Sequence, residues 1–168
     1  MRVTGCILIF FSAAACGLFF AAKQKKLERI YAQTVTMTGM LIAFLQYDAP
    51  ALADLLSRVS RSGNCTELSY LGRTLEIMQT GAGFQEAFED ALSEFCRGNR
   101  CPEYYDAVFP LGNLLGAGRA ENQSRTLEAM RKNLQQLSEQ VRLETEKRAR
   151  LCRSLGVGIG AAAAFVLI

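Results

Sequence analysis

Residues 1–22 read MRVTGCILIFFSAAACGLFFAA and carry no charge after Arg2. From Val3 to Ala22 the stretch has the roughly 20 apolar residues with which a helix crosses ~30 Å of hydrocarbon. Basic residues follow it directly: Lys23, Lys25, Lys26 and Arg29. The stretch therefore predicts an N-terminal transmembrane helix over residues 1–22.

Two other interpretations of this end are weaker than an anchor. A cleaved signal peptide needs a basic start and small residues before the cleavage site. Here only Arg2 precedes the apolar run, and cleavage after Ala22 would put Phe20 where a small residue belongs. A lipoprotein would use Cys16, but the residue three positions before it is Ala13 instead of a large aliphatic one. Membrane anchoring remains the favoured interpretation.

The opposite end of the chain has the same character. Residues 154–168, SLGVGIGAAAAFVLI, are again uncharged, and they follow a second basic cluster: Lys147, Arg148, Arg150 and Arg153. Lysine and arginine close to a span are retained on the cytoplasmic face. We therefore predict a C-terminal transmembrane helix over residues 154–168 and a cytoplasmic domain over residues 23–153, which makes this a cell-membrane protein with two spans.

Charge along the chain argues against a nucleic-acid partner. The formal net charge is +3, but residues 30–146 contain 10 basic and 15 acidic residues, a net charge of −5. Basicity is therefore concentrated at the predicted membrane boundary, and no basic face is left over to bind phosphates.

The cysteines do not predict a metal site. The chain has six cysteines and no histidine, and Cys6, Cys16 and Cys152 lie in or next to the predicted spans. The three that remain for the domain are Cys65, Cys96 and Cys101. Three thiols without histidine disfavour a closed zinc site, and cytoplasmic thiols stay reduced. We expect no metal and no cofactor.

Apolar residues recur at helical spacing through the central segment, and no stretch alternates with period two over the length of a strand. We therefore expect an all-α fold, a cytoplasmic bundle of about five or six helices between the two transmembrane helices. The first helix should continue the N-terminal span to about Tyr47, and Pro50 should start the second. Their predicted inner faces are Leu27, Ile30, Tyr31, Thr34, Met37, Thr38, Leu41 and Leu45, then Leu52, Leu55, Leu56 and Val59.

Capping residues and glycines predict the next two helices. Asn64 or Thr66 can cap a third helix, and the glycines of residues 81–83 should end it. A fourth helix follows, and residues 97–100 (RGNR) are predicted as a polar loop. The predicted inner faces are Leu68, Leu71, Leu75 and Met78, then Phe84, Ala87, Phe88, Ala91, Leu92 and Phe95.

Two further helices complete the predicted domain. The fifth, from Pro102 to Ala117, contains Pro110, which must kink it or split it. The long sixth helix begins at about Ala120 and should run on into the C-terminal span. Its inner face is a heptad-like series: Leu127, Met130, Leu134, Leu137 and Val141.

The sequence offers no convergent catalytic group. Histidine is absent, the carboxylates are spread over outward helix faces, and no serine lies in a nucleophile-elbow context. The G-x-G at residues 81–83 has no preceding strand and no following lysine, so it predicts a helix-ending turn instead of a phosphate loop. We therefore expect neither enzymatic activity nor a small-molecule substrate.

A family resemblance rests on the order of several parts. Residues 111–116 read LGNLLG, residues 121–123 read ENQ, and a long helix then leads into a glycine-rich hydrophobic tail that starts at Leu155 and Gly156. With the N-terminal span and the helices broken at residues 81–83, this order resembles the stage III sporulation protein AB family of endospore-forming bacteria. The resemblance covers the whole chain.

This resemblance implies a membrane protein on the mother-cell side of the engulfed forespore. Members are expected to belong to a channel or secretion-like complex that joins the two cells. Their cytoplasmic domain is similar to that of platform proteins in type II secretion and type IV pilus machines, which meet a cytoplasmic secretion-type ATPase. Those platform proteins carry two such domains and more spans. What is known of how they work therefore applies to this chain by analogy only. The expected role is therefore a scaffold; the alternative is a two-span signalling or sensing subunit.

Two surfaces are candidates for contacts with partners. Small residues recur every four positions in both predicted spans, a pattern that lets helices approach closely: Ala13, Gly17 and Ala21, then Gly156, Gly160 and Ala164. Acidic residues cluster on the outer side of the fourth helix: Glu86, Glu89, Asp90 and Glu94. A basic partner such as the ATPase could be steered to them. Ordinary span composition and a simply solvated helix face are the respective alternatives.

Overall fold

The computed structural model describes the backbone of residues 2–47, 51–116 and 120–167, and the side chains of residues 22–46, 51–116 and 125–151. Over this part the chain forms six helices and no strand. The helices are α1 (Arg2–Tyr47), α2 (Leu52–Arg61), α3 (Tyr70–Gln79), α4 (Phe84–Asn99), α5 (Pro102–Gly116) and α6 (Ala120–Leu167). The prediction of an all-α fold is confirmed.

The chain divides into two compact units. One comprises Met1–Glu28 together with Glu139–Ile168, and the other comprises Arg29–Ser138. The second unit contains α2 to α5 whole, with the adjoining parts of α1 and α6. The predicted domain boundaries after Ala22 and Arg153 concern the membrane and stay predictions.

Where side chains are described, no helical stretch is long and apolar enough to cross a membrane. Apart from Ala22, the predicted spans over residues 1–22 and 154–168 lie outside that part of the chain. The same is true of the small-residue stripes, whose members are Ala13, Gly17, Ala21, Gly156, Gly160 and Ala164.

The predicted inner face of α1 is buried over its central portion, at Ile30, Tyr31, Thr34, Met37, Thr38 and Leu41. Two of these residues are threonines, whose hydroxyls need partners inside a core. The Thr34 hydroxyl donates a hydrogen bond to the Ile30 carbonyl at 2.7 Å, and the Thr38 hydroxyl donates to the Thr34 carbonyl at 2.8 Å. Bonding back to the preceding turn lets both threonines be buried in a helix.

The start of α3 differs from its prediction. Neither Asn64 nor Thr66 caps the helix, whose N-cap is Ser69, without a side-chain cap. The reason is a contact with α1, because Gln33 donates to the Thr66 hydroxyl at 3.2 Å and accepts from the Glu67 amide at 2.8 Å. These bonds hold residues 62–69 in turns, and the helix begins only afterwards.

Half of the inner face predicted for α3 is confirmed, because Leu71 and Leu68, which precedes the helix in the structure, are both buried. Within the helix, however, the buried face is rotated from the predicted one. Tyr70, Leu71 and Thr74 are buried, whereas Leu75 and Met78 are only half-buried. The spacing of three leucines and a methionine predicted a face that includes Leu75 and Met78. Which face of a helix is buried, however, depends on the elements that pack against it. The two half-buried residues line a groove beside α2 with Ala53, Asp54, Ser57, Ser60, Arg61 and Gln79.

Helix α4 follows its prediction on both sides but extends further. Its buried residues are Ala87, Phe88, Ala91, Leu92, Phe95 and Cys96, and it packs against both α3 and α5. The predicted loop at residues 97–100 is wrong, because the helix continues to Asn99 and only Arg100 leaves it.

Helix α5 runs through Pro110 without a break, so the chain does not split there. Proline removes the hydrogen bond to the carbonyl of residue i−4, here Asp106. Both Pro110 and Asp106 are exposed, so water can satisfy that carbonyl. Helix α6 begins at Ala120 as predicted, and Leu127 and Leu134 of its inner face are buried.

Candidate interaction surface

Side chains that could bind a metal ion do not cluster in the described part of the chain. Those residues contain no group of three or more histidine, cysteine or acidic side chains placed to hold a metal ion. Their buried side-chain polar atoms all have a hydrogen-bond partner. Other polar features of this part are exposed charges, open grooves and a set of buried hydroxyls and thiols.

All four acidic residues predicted on the outer side of α4, Glu86, Glu89, Asp90 and Glu94, are exposed. The structure divides them by partner. Glu94 forms an ion pair with Arg73 of α3 at 3.5 Å, and Arg73 forms a second ion pair with Glu76 at 3.0 Å. Glu94 is therefore partly neutralised within the domain.

The other three acidic residues retain more of their capacity for a partner. One oxygen of Glu89 accepts a 3.5 Å hydrogen bond from the Tyr105 hydroxyl of α5. Glu86 and Asp90 make no ion pair with any residue whose side chain is described. These three carboxylates are the acidic groups of α4 that a partner could engage.

The exposed side of α4 is not uniformly acidic. Arg97 lies in its last turn and Arg100 directly after it, and both guanidinium groups are exposed. They line an open groove between α4 and α5 with Ser93, Cys96, Pro102, Tyr105 and Asp106. Sequence reasoning assigned residues 97–100 to a loop and so missed that Arg97 shares a helix with the carboxylates. The helical spacing from Glu89 to Arg97 was the available signal.

The end of α4 explains the C-x4-C spacing. The Cys101 amide bonds the Cys96 carbonyl at 3.1 Å, and the Arg100 amide bonds the Arg97 carbonyl at 3.3 Å. Arg100 adopts φ 54°, in the left-handed region. This is a Schellman C-cap, in which the residues at these two cysteine positions normally make an apolar contact.

Both thiols are buried and unoxidised, in agreement with a structural role. The neighbouring Cys101 thiol, as a hydrogen-bond partner, and burial both raise the pKa of Cys96. A raised pKa keeps the group as an unreactive thiol. The pair therefore closes the end of α4, and the Cys96 thiol stays protonated.

Two tyrosines that the sequence did not single out lie at the centre of the core. Thr34 donates its only hydroxyl hydrogen to Ile30, so Tyr104 must be the donor in the 2.6 Å bond between Tyr104 and Thr34. Tyr104 then accepts from Tyr70 at 3.3 Å. The Tyr70 hydroxyl also lies 3.7 Å from the Met37 sulfur. The hydroxyls thus form a directed chain from α3 through α5 to α1.

Burial raises the pKa of both Tyr70 and Tyr104. Burial, with a smaller contribution from Glu103, raises the pKa of Tyr31 to about 12. The Tyr31 ring packs edge-on against that of Tyr104, with centroids 5.2 Å apart. These phenols stay neutral at physiological pH, and their role is to hold three helices together.

The LGNLLG block at residues 111–116 has a packing role. Leu111, Gly112 and Leu115 are buried in α5. A Cβ placed on Gly112 would lie 2.5 Å from Cδ1 of Phe88, so only glycine lets α5 approach that ring on α4. Beside it, Gln85 of α4 donates to Asn113 at 2.6 Å.

Comparison with known proteins identifies a family. Curated proteins and solved structures give no match. A family model described as stage III sporulation protein AB matches residues 2–168. The match covers the predicted spans, all six helices and the LGNLLG block, and it confirms the resemblance seen in the sequence. The chain therefore belongs to the stage III sporulation protein AB family.

Proposed function

We propose that the protein is a non-enzymatic scaffold subunit of a membrane complex that joins mother cell and forespore during sporulation. Membership of a sporulation family supports the process. The observation that carries the membrane role is the first compact unit, which gathers both chain ends, Met1–Glu28 and Glu139–Ile168. Its described basic residues are all exposed: Lys23, Lys25, Lys26, Arg142, Lys147, Arg148 and Arg150.

This grouping agrees with two spans whose cytoplasmic ends are close together. Exposed lysines and arginines next to a span favour the cytoplasmic leaflet, whose anionic lipids attract them. In this proposal the helical domain, residues 23–153, faces the mother-cell cytoplasm. The small-residue stripes would pack the spans against other subunits of the complex.

Reporter fusions at both termini test the topology. A periplasmic-type reporter should be active at either end, whereas a reporter active only in the cytoplasm should work when inserted in a surface turn, for example after Gly63. A cytoplasmic signal from either terminus would contradict the two-span arrangement.

Gly17→Leu and Gly160→Leu should weaken association with other membrane subunits while the helical domain keeps its melting temperature. Normal assembly by both variants would leave the stripes without a role.

We further propose that the domain engages a cytoplasmic secretion-type ATPase through acidic residues of α4. Glu86 and Asp90 support this assignment, because both are exposed and neither has an ion-pair partner within the described residues. Opposite charges at an interface mainly raise the association rate and are screened by salt.

The test is a variant in which Glu86, Glu89 and Asp90 are all replaced by lysine. Helical melting should be unchanged, and salt-sensitive binding of the ATPase should be lost. Glu128→Lys, at an exposed position of α6, is the matched control. If the triple variant binds the ATPase as the natural protein does, these carboxylates are only a solubilising surface.

A further inference from the structure

Four exposed charged residues on α4 and directly after it are placed symmetrically about Ser93, with opposite signs on its two sides; Asp90 and Glu94, also exposed on this helix, lie outside the series. Glu86 lies seven residues before Ser93 and Arg100 seven residues after it. Glu89 lies four residues before Ser93 and Arg97 four residues after it. The first half of this series is acidic and the second half is basic, so its ends are complementary to one another.

These residues form a stripe along the helix. Steps of three or four residues return to the same side of a helix with 3.6 residues per turn, so Glu86, Glu89, Ser93 and Arg97 lie on one side. The three charged residues and Arg100 are exposed, and Ser93 is half-buried. We call Glu86, Glu89, Ser93, Arg97 and Arg100 the α4 stripe.

We propose that the protein self-associates through the α4 stripe, with a second copy of the same chain as the occupant. If two copies of α4 lie antiparallel across a two-fold axis at Ser93, Glu86 of one copy faces Arg100 of the other. Glu89 likewise faces Arg97, and symmetry repeats both pairs to give four ion pairs. The outer pairs lie about 10 Å from the axis at 1.5 Å per residue.

Side-chain size at the axis agrees with this arrangement. Helices pack at roughly 8–10 Å between axes, and the distance depends on the side chains at the crossing point. Serine is small enough for close approach, and the flanking glutamates and arginines are long enough to meet across a gap that widens away from the axis.

The charges of the α4 stripe are also available for such pairing. Within the described side chains, Glu86, Arg97 and Arg100 make no ion pair, and Glu89 uses one oxygen on the Tyr105 hydroxyl. A uniformly basic partner lying along the stripe would meet like charge at its basic end. A second copy satisfies both halves. Self-association does not depend on the proposed membrane topology, but it uses Glu86 and Glu89, which are also proposed to meet the ATPase, so the two contacts compete for the same carboxylates.

Charge reversal tests the pairing in the full chain. Two differently tagged copies are co-expressed, extracted in detergent and assayed for co-purification and for the dissociation constant. Glu89→Arg and Arg97→Glu each replace two of the four pairs by like-charge contacts, so each should weaken self-association by about tenfold. The double variant E89R/R97E restores both pairs with reversed sign and should recover most of the lost affinity.

Three controls make these outcomes decisive. Glu128→Arg, on α6, should leave self-association unchanged, and helical melting should show that every variant folds. Asp90→Lys should also leave it unchanged, because the residue symmetric with Asp90 is the buried Cys96. Unaffected self-association in both single variants would overturn the proposal, as would a double variant as weak as the single ones. Loss of ATPase binding with intact self-association would assign the α4 stripe to the ATPase instead.

Crosslinking tests the position of the two-fold axis. In a background with Cys6, Cys16 and Cys152 replaced by alanine, Ser93→Cys should form a disulfide-linked dimer when membranes are oxidised. Ser57→Cys, on α2, is the control and should stay monomeric under the same treatment. Crosslinking at residue 57 but not at residue 93 would overturn the antiparallel register.

Discussion

At the scale of single residues, the close packing of α5 against α4 depends on Gly112, which has no side chain. The Phe88 ring lies over Gly112, and both residues are buried. Gly72, inside α3, has no atom within 4 Å of the position its Cβ would occupy. Glycine lowers helix stability at both positions. At Gly112 it is needed for packing against Phe88, whereas at Gly72 no close contact requires it.

Gly112→Ala should destabilise the domain, because its methyl group would lie 2.5 Å from Cδ1 of Phe88. Overpacking of this kind costs about 1–3 kcal/mol. Gly72→Ala should instead stabilise it by about 0.5–1 kcal/mol, since alanine is the better helix former. Urea unfolding followed by circular dichroism measures both. Equal effects from the two substitutions would contradict the close α4–α5 contact.

Removing the middle hydroxyl of the chain, on Tyr104, should destabilise the domain more than removing the first one, on Tyr70. Tyr104→Phe removes the donor to Thr34 at 2.6 Å and one acceptor of Tyr70. The loss leaves buried polar groups poorly paired, and we expect it to cost about 1–3 kcal/mol. Tyr70→Phe removes only the 3.3 Å bond to Tyr104 and the 3.7 Å contact with the Met37 sulfur, and it leaves the Tyr104 donor paired, so it should cost less. Unfolding free energies in the reverse order would contradict the assigned direction of the chain.

At the scale of helices, the end of α4 combines local strain with exposed charge. Arg100 adopts a left-handed conformation that glycine takes without a steric cost. The Schellman bonds at Cys96 and Arg97 nevertheless end the helix there. An arginine in this position adds charge to the α4 stripe at some cost in stability.

Arg100→Gly should therefore stabilise the folded domain by up to ~1 kcal/mol, since a left-handed non-glycine residue costs about 1–2 kcal/mol. Arg97→Gly, in the last turn of the helix, should destabilise it by up to about 1 kcal/mol, the cost of glycine in a helix interior. Thermal melting measures both effects. If Arg100 also serves the proposed pairing, its glycine variant should be more stable and yet self-associate less. Lower stability of Arg100→Gly would show that the arginine side chain, and not the backbone, dominates at this position.

At the scale of the whole molecule, the core of the Arg29–Ser138 unit is built around neutral phenols. Tyr31, Tyr70 and Tyr104 come from three different helices, and their pKa values are all raised. In the unfolded chain each phenol ionises near pH 10. The unfolded state therefore releases protons at a lower pH than the folded state does.

Stability should be unaffected by these tyrosines below about pH 10 and should fall as the pH rises towards 12, the folded pKa of Tyr31. The slope is on the order of 1 kcal/mol per pH unit for each buried tyrosine. Urea unfolding at pH 8 and pH 11, with phenolate absorbance recorded in parallel, checks this. Tyr31→Phe should flatten the slope. Ionisation of all five tyrosines near pH 10 without unfolding would contradict the burial.

Much of the helical architecture follows from the sequence. Apolar spacing predicted the buried face of α1 and of α4, and Gly81, with φ 96°, follows the end of α3 as expected. The long α1 and α6 were also predicted, because uninterrupted periodicity and the absence of proline are local properties of the chain. The order of these parts sufficed to recognise the family.

The tertiary structure decided what depends on contacts between distant residues. Gln33 delays the start of α3, and the packing of Tyr70 against Tyr104 sets which side of α3 is buried. The role of Gly112 is visible only with Phe88 beside it, and Arg97 joins the α4 stripe only because a cap forms at Cys101. Sequence periodicity specifies which residues share a helix face. Which face is buried, and where a helix ends, depends on the free energy of packing against neighbours that are remote in the chain.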